Sequence, residues 1–317
     1  MKRSLALSAL LISLPCYSDL APQAGIEGEI SLIAGTMSTT SNFNTEGDAT
    51  IGSIDNKAQS ESTALVAPLG NISYTFGEQL NHQFYFGTAR EDVAVGTLAL
   101  QLGYKHELDS GTIVSVSFIP TVMSGKTWQD PYQTGVARIE TDETGNAYRL
   151  KLERISATRF SLDLAFAINE VENDAYSGTN LARDGHSYYA KGEYLFILSR
   201  TSFVTPSVAY IRHEADGKAN SYDSYGADVS WVNIFDRHSF VLTAGYARRG
   251  YDSASMVFNK IRADDEYNFF AAYEYTNFMD WQDWSLISFA GYGSTQSNIT
   301  FYDESEYIVS VGLNNKF

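Results

Sequence analysis

The sequence predicts an all-β chain that closes as a transmembrane antiparallel β-barrel of about fourteen strands, with twelve and sixteen as the alternative counts. Three observations predict it. Apolar and polar residues alternate with a period of two in segment after segment, which is strand geometry and not helix geometry. Short polar turns alternate with longer polar connections. The aromatic content is high, with 21 Tyr, 18 Phe and 4 Trp; Tyr and Trp favour bilayer interfaces because part of the ring is apolar and part stays wet. Beyond the N-terminus no apolar run approaches the ~20 residues of a membrane helix. A chain of this kind that spans a bilayer must close, because an open sheet edge would present unsatisfied backbone groups to lipid.

The N-terminus comes first. Lys2 and Arg3 precede a mostly apolar stretch from Leu5 to Leu14, Pro15 breaks it, and Cys16 and Ser18 occupy the two positions a signal peptidase reads. That order is a secretory signal. Cleavage after Ser18 divides the sequence into a signal peptide at 1–18 and a single barrel domain at 19–317. The alternative, a short buried helix opening a cytoplasmic protein, has no helical domain downstream to support it. Cys16 is the single cysteine, and Pro15 before it breaks the lipoprotein pattern. It leaves with the signal, so the mature chain has no disulfide and no thiolate for catalysis or metal binding.

The strands follow. In 96–106, Leu98, Leu100, Leu102 and Tyr104 share one face. In 159–169 the apolar set is Phe160, Leu162, Leu164, Phe166 and Ile168, with Ser161, Asp163, Ala165 and Ala167 between them. Tyr267, Phe269, Ala271, Tyr273 and Tyr275 repeat the pattern, and so do Tyr307, Val309, Val311, Leu313 and Phe317. A water-soluble sandwich also alternates, so the argument rests on the number of such segments taken with the signal and the aromatic ends. Strand starts are expected near residues 25, 63, 81, 95, 112, 145, 159, 187, 201, 222, 238, 264, 283 and 304. Short turns fall at 77–80, 107–111, 157–158, 199–200, 236–237 and 280–282, and longer connections at 38–62, 122–145, 171–185, 214–221, 250–264 and 293–303. Residues 89–94 are a short connection in the long-loop phase, and 135–140 either extend a strand or form a hairpin within a loop. Short periplasmic turns and long external loops are the asymmetry of a bacterial outer-membrane barrel. An even count puts both termini in the periplasm.

The last strand ends at Phe317. Barrels of Gram-negative outer membranes characteristically end in an amphipathic strand with a C-terminal aromatic, which the assembly machinery recognises, and this ending resembles that pattern. Phe317 is thereby the expected assembly signal. The chain also resembles an uncharacterised outer-membrane family of marine gammaproteobacteria, especially vibrios. The resemblance lies in Ala67-Pro68-Leu69-Gly70, Gln83-Phe84-Tyr85-Phe86-Gly87-Thr88, Arg90-Glu91-Asp92, Val95-Gly96-Thr97-Leu98-Ala99, Gly103-Tyr104-Lys105, Pro120-Thr121-Val122-Met123-Ser124-Gly125 and Thr127-Trp128-Gln129-Asp130-Pro131. It implies a location and a porin-like fold, and no substrate or catalytic role.

Charge narrows the function. With 38 acidic against 22 basic residues, a net charge of -16, nucleic acid is excluded as a partner, because phosphate binding needs a basic surface. The excess suits a cation-attracting pore or a negative outer surface. Turning the apolar phase to lipid puts Arg149, Lys151, Glu153, Asp163, Lys191, Glu193, Asp228 and Glu274 on the inner face. These residues either line water and set a transverse field, as in porins, or form a salt-bridged filling; the sequence leaves both readings open. Trp128, Gln129, Asp130 and Tyr132 are the candidate constriction loop: the aromatics offer stacking surfaces and the polar pair directional contacts. The plainer reading, an aromatic anchor folding the loop onto the barrel, is preferred.

The acidic stretches Arg90-Glu91-Asp92, Asp142-Glu143, 170–174 and Asp303-Glu304 lack calcium-loop spacing and read as solvated loops before they read as cation sites. No Gly-x-Ser-x-Gly or His-Glu-x-x-His motif occurs. The one arrangement with catalytic potential joins Asp184-Gly185-His186 to Ala263-Asp264-Asp265 at the loop rim, a hydrolase reading ranked well below passive transport. The expected function is passive diffusion of small hydrophilic solutes, cations preferred, through a monomer with no cofactor. Its partners are outer-membrane lipid, lipopolysaccharide and the assembly machinery. A closed structural or adhesive barrel is the alternative.

Overall fold

A computed structural model describes residues 20–21, 23–88, 100–120 and 125–317. The expected signal at 1–18 and its Cys16 lie outside the described residues, as do Arg90-Glu91-Asp92 and the strand start near 95. The described chain forms β1 (Gly25–Thr40), β2 (Ser60–Phe76), β3 (His82–Thr88), β4 (Leu100–Glu107), β5 (Ile113–Pro120), β6 (Gly125–Trp128), β7 (Glu140–Glu153) and β8 (Phe160–Val171). It continues through β9 (Gly185–Tyr194), β10 (Phe196–Ile197), β11 (Ser202–Ala215), β12 (Tyr222–Phe235), β13 (His238–Ala254), β14 (Ile261–Thr276), β15 (Trp284–Ser297) and β16 (Glu304–Lys316).

Leaving aside the short β6 and β10, each strand pairs antiparallel with the next along the chain, and β16 returns to pair with β1 from Lys316 against Glu29 to Ser305 against Thr40. The result is a closed antiparallel barrel of fourteen strands, which removes the alternative counts of twelve and sixteen. The two extra segments do not add staves: β10 continues β9 along the edge of β11, and β6 pairs only with the start of β7. Closure is sealed at Phe317, whose backbone N–H donates to Gly28 O at 3.0 Å while Gly28 N–H donates to Phe317 O at 2.9 Å. Its ring lies over Gly28, where a Cβ would stand 2.8 Å from Cζ; a larger residue at 28 would displace the ring.

Alternation then sorts the side chains. Along β14, Tyr267, Phe269, Tyr273 and Tyr275 share the outer face with Ala271. From Tyr267 to Tyr275 the strand rises roughly 27 Å, or about 20 Å once tilted, close to the height of a barrel's apolar band. The outward aromatics fall in two belts. Phe76, His82, Phe84, Tyr104 and His106 stack at the short-turn end, and His238 joins Tyr273 and Tyr275 there. Tyr148, Tyr188, Tyr225, Tyr246 and Tyr267 stand toward the long-loop end. Aliphatic residues such as Leu32, Val66, Val208 and Val311, all exposed, lie between.

Several boundaries correct the sequence reading. Paired backbone reaches farther out of the membrane than the apolar pattern does, so β2 starts at Ser60, β7 at Glu140 and β14 at Ile261. The arms of β2 and β7 are polar on both faces and have no alternation to read, and that of β14 adds only Ile261, Arg262 and Ala263, too few to show a period. Residues 135–139 are neither a strand nor a hairpin arm; β6 is the strand that pairs with Glu140 to Glu143. The turns at 154–159 and 277–283 each hold a one-turn 3-10 helix with left-handed residues, among them Arg154, Ser156, Asn277 and Met279. The long loops all lie at one end of the barrel, and both ends of the described chain lie at the other, beside the short turns.

Candidate functional site: the lumen and its roof

The inner face is built row by row from cross-strand register. On β7, β8 and β9, Lys151 stands opposite Asp163 and Asp163 opposite Lys191. Arg149, two residues along, reaches back to Asp163 with Nε at 2.9 Å and Nη2 at 2.5 Å. Lys151 lies 3.7 Å from Glu153 and Lys191 3.4 Å from Glu193. Six of the eight candidate lumen residues therefore form one charge-compensated ladder across three adjacent strands, which the sequence had read as two separate neighbourhoods. Glu274 sits lower, 3.8 Å from Lys316 near the short-turn end. Asp228 stands apart on β12.

The wall around Asp228 differs in kind. Asp228 is opposite Gly245, Gly245 opposite Asn268, Asn268 opposite Gly293 and Gly293 opposite Glu306. The glycines matter here: a Cβ at 245 would come within 1.9 Å of Oδ1 of both Asp228 and Asn268, so the missing side chain lets two oxygens converge. One row higher the facing residues are Ala209, Gly226 and Ala247. This run of small residues recesses the wall into a chamber of about 430 Å³. Its charged lining residues are Asp228, Glu266, Glu304 and Glu306, all acidic, and Tyr189, Asn268 and Thr295 are among its uncharged polar ones. Arg249 approaches Glu266 at 2.5 Å and Ser41 donates to Glu304 at 2.6 Å.

Long loops roof this chamber. Residues 129–139 leave the β5–β7 side of the ring and dock against the loop joining β15 to β16, with six strands between the two hairpins one way round and four the other. The contacts are specific. The Tyr132 hydroxyl lies 2.7 Å from that of Tyr302, and its ring meets Phe258, Phe301 and Tyr176 with centroids 5.7, 5.1 and 5.3 Å away. Arg138, absent from the sequence-based candidates, is buried. It donates to Asn42 O at 2.6 Å, Asp48 O at 2.9 Å, Ala49 O at 3.1 Å and Pro131 O at 3.3 Å. Its guanidinium also lies 4.2 Å over the Trp128 ring.

Trp128 is 1% exposed, at the end of β6 and not in the loop proper. Gln129 donates its backbone N–H to Ile139 O, and its own carbonyl accepts from Ala175 and Arg183. Asp130 caps the turn by accepting the Tyr132 N–H at 3.0 Å. Burial pushes the Tyr132 phenol well above its ordinary value and raises Tyr302; burial and Asp130 push Tyr176 up to about 12.

Other expected meetings are not formed. His186 Nε2 pairs with Glu214 at 3.0 Å on the outer face, Asp184 accepts the Val171 N–H, and Asp264 holds Arg262 on the inner face. Asp265 is on the outer face, where it accepts from the Tyr246 hydroxyl at 2.6 Å, and β11, β12 and β13 stand between it and His186, so the two segments of the hydrolase reading are not brought together. Ser187 Oγ and His213 Nδ1 do meet, at 2.8 Å. Among the acidic loops, Asp174 is committed to Arg183 and Asp303 to Lys57.

Fold and lining together define a membrane-type β-barrel with a polar, acid-walled interior under a folded loop roof. The chain belongs to the family described as a protein of unknown function, DUF2860, which matches residues 25–316. No curated protein matches the sequence. Among solved structures it is similar to the CymD monoaromatic hydrocarbon channel, at 9% identity and TM-score 0.49 with 93% of this chain and 89% of that chain covered. It is also similar to the outer membrane channel DcaP of Acinetobacter baumannii, at 11% identity and TM-score 0.44 with 96% and 100% covered. The anion-selective porin from Comamonas acidovorans matches at 10% identity and TM-score 0.42, with 93% and 100% covered. Identities this low carry no statement about solute.

Proposed function

We propose that the protein is a porin-like channel in the outer membrane of a Gram-negative bacterium, passing small hydrophilic solutes by diffusion with a preference for cations. The observation that supports this most is the chamber beneath the roof, whose charged lining residues are all acidic. In a narrow lumen with low-dielectric walls such carboxylates focus the field and raise the local cation concentration. In this reading the signal at 1–18 exports the chain and Phe317 presents it to the assembly machinery. The short-turn end and both termini face the periplasm, the long loops face lipopolysaccharide, and the barrel works as a monomer in a marine gammaproteobacterial setting.

The roof favours a second reading, a closed structural or surface-binding barrel. Liposome swelling with cationic, neutral and anionic solutes of matched size separates the two. The channel reading expects swelling in the order cation, neutral, anion. No swelling with any solute, from protein shown to be folded, would leave the closed barrel.

A further inference from the structure

We infer that residues 129–139 form a gate, a strap closed across the long-loop mouth whose release from the loops joining β1 to β2 and β15 to β16 opens the chamber. This inference rests on the channel reading and adds to it the element that controls passage.

The strap is hinged at one side and latched at the other. At the hinge, β6 and the start of β7 run as a paired extension of the barrel, and the 172–184 loop fastens it through Ala175 N–H and Arg183 to Gln129 O. The latch contains no barrel strand pairing. It is the Tyr132–Tyr302 hydroxyl contact, the ring contacts to Phe258 and Phe301, and the Arg138 bonds to loop carbonyls of residues 42–49. Two isolated backbone bonds add to these, Gly135 N–H to Ile51 O beside the Ile51–Thr134 bridge and Arg138 N–H to Ala49 O, each at 2.9 Å. Side-chain contacts and isolated loop bonds of this kind can be exchanged for water without disturbing the barrel's backbone ladder, whereas the hinge cannot open without breaking strand pairs. The latch also lies beside the chamber: Ser41 and Glu304, which line it, flank two of the loops that the strap grips.

The test uses the full chain, refolded into planar bilayers, with folding checked by heat-dependent gel mobility. Arg138→Ala and Tyr132→Ala are compared with a reversible lock, Ile51→Cys with Thr134→Cys in a Cys16→Ser background. The two bridge partners lie within reach of a disulfide. The expected result is an open fraction raised at least tenfold by either latch variant. The oxidised lock should hold the channel at its lowest level and reductant should release it. Equal conductance in the wild type, the latch variants and both redox states of the lock would overturn the gate while leaving the channel reading intact. Silence from every folded variant would overturn the channel reading and the gate with it.

Discussion

The roof makes a prediction that does not depend on conduction. Arg138 is a trypsin site that the folded roof hides: it is 6% exposed and its guanidinium donates to four backbone carbonyls. Cleavage after it therefore reports strap release. Tyr132→Phe removes one hydroxyl contact, worth ~1 kcal/mol, and should raise the released population about fivefold. Tyr132→Ala removes the ring from its cluster with Phe258, Phe301 and Tyr302; losses of this type cost ~3 kcal/mol or more, about a hundredfold. When opening and closing outpace cleavage, the rate follows that population. The assay is limited trypsinolysis of refolded protein in detergent, with peptide mapping of the 138–139 bond. Cleavage after Arg200, exposed in the short turn at the opposite end of the barrel, serves as the control that should not change. Equal cleavage after Arg138 in wild type, Tyr132→Phe and Tyr132→Ala would refute the latch energetics.

The roof, the charge ladder and the closing seam each give one further outcome. The roof should loosen in alkali: Tyr132, Tyr302 and Tyr176 all have phenols held above their ordinary value, Tyr176 up to about 12. Stability from these groups is complete below the ordinary tyrosine value of ~10 and is lost as pH rises through the folded values, because the released form ionises first; cleavage after Arg138, measured with an alkali-tolerant arginine-specific protease, should accelerate above pH ~10 and be flat below it. Asp163→Asn strips the carboxylate that Arg149 grips and that Lys151 and Lys191 flank, so it should cost about 3 kcal/mol in urea unfolding followed by tryptophan fluorescence, with Arg149→Met plus Asp163→Leu recovering part of the loss. Phe317→Ala removes the ring that covers Gly28 at the closing seam; a slower refolding rate into vesicles with an unchanged final circular dichroism spectrum is the expected signature.

How much of this was legible follows from which interactions leave a periodic trace. Strand phase did, because every second side chain must face lipid; β1, β12, β13 and β16 begin where the pattern places them, at Gly25, Tyr222, His238 and Glu304. The polar arms of β2 and β7 left no trace, because beyond the bilayer both faces meet water. The chamber was not legible either. Ala209, Gly226 and Ala247 are unremarkable small residues until register sets them side by side, and the same holds for Asp228, Asn268 and Glu306 with glycines between them.

Arg138 was overlooked because loops have no period. The available signal was a lone cation within the apolar run Val136-Ala137-Arg138-Ile139, ten residues after Trp128. Trp128 and Tyr132 stand out by residue type, but their docking partners at Arg138 and Tyr302 come from contacts that sequence spacing does not encode.

The acid-walled chamber is best tested by the reversal potential of the refolded protein in a planar bilayer under a tenfold potassium chloride gradient, with Asp228→Asn plus Glu306→Gln beside the wild type. At ~6 Å and the dielectric of water one carboxylate stabilises a passing cation by ~0.7 kcal/mol, about threefold in permeability. The account predicts a cation-selective potential in the wild type that falls toward zero in the double variant. An anion-selective potential, or a cation-selective one that the two substitutions leave unchanged, would contradict it.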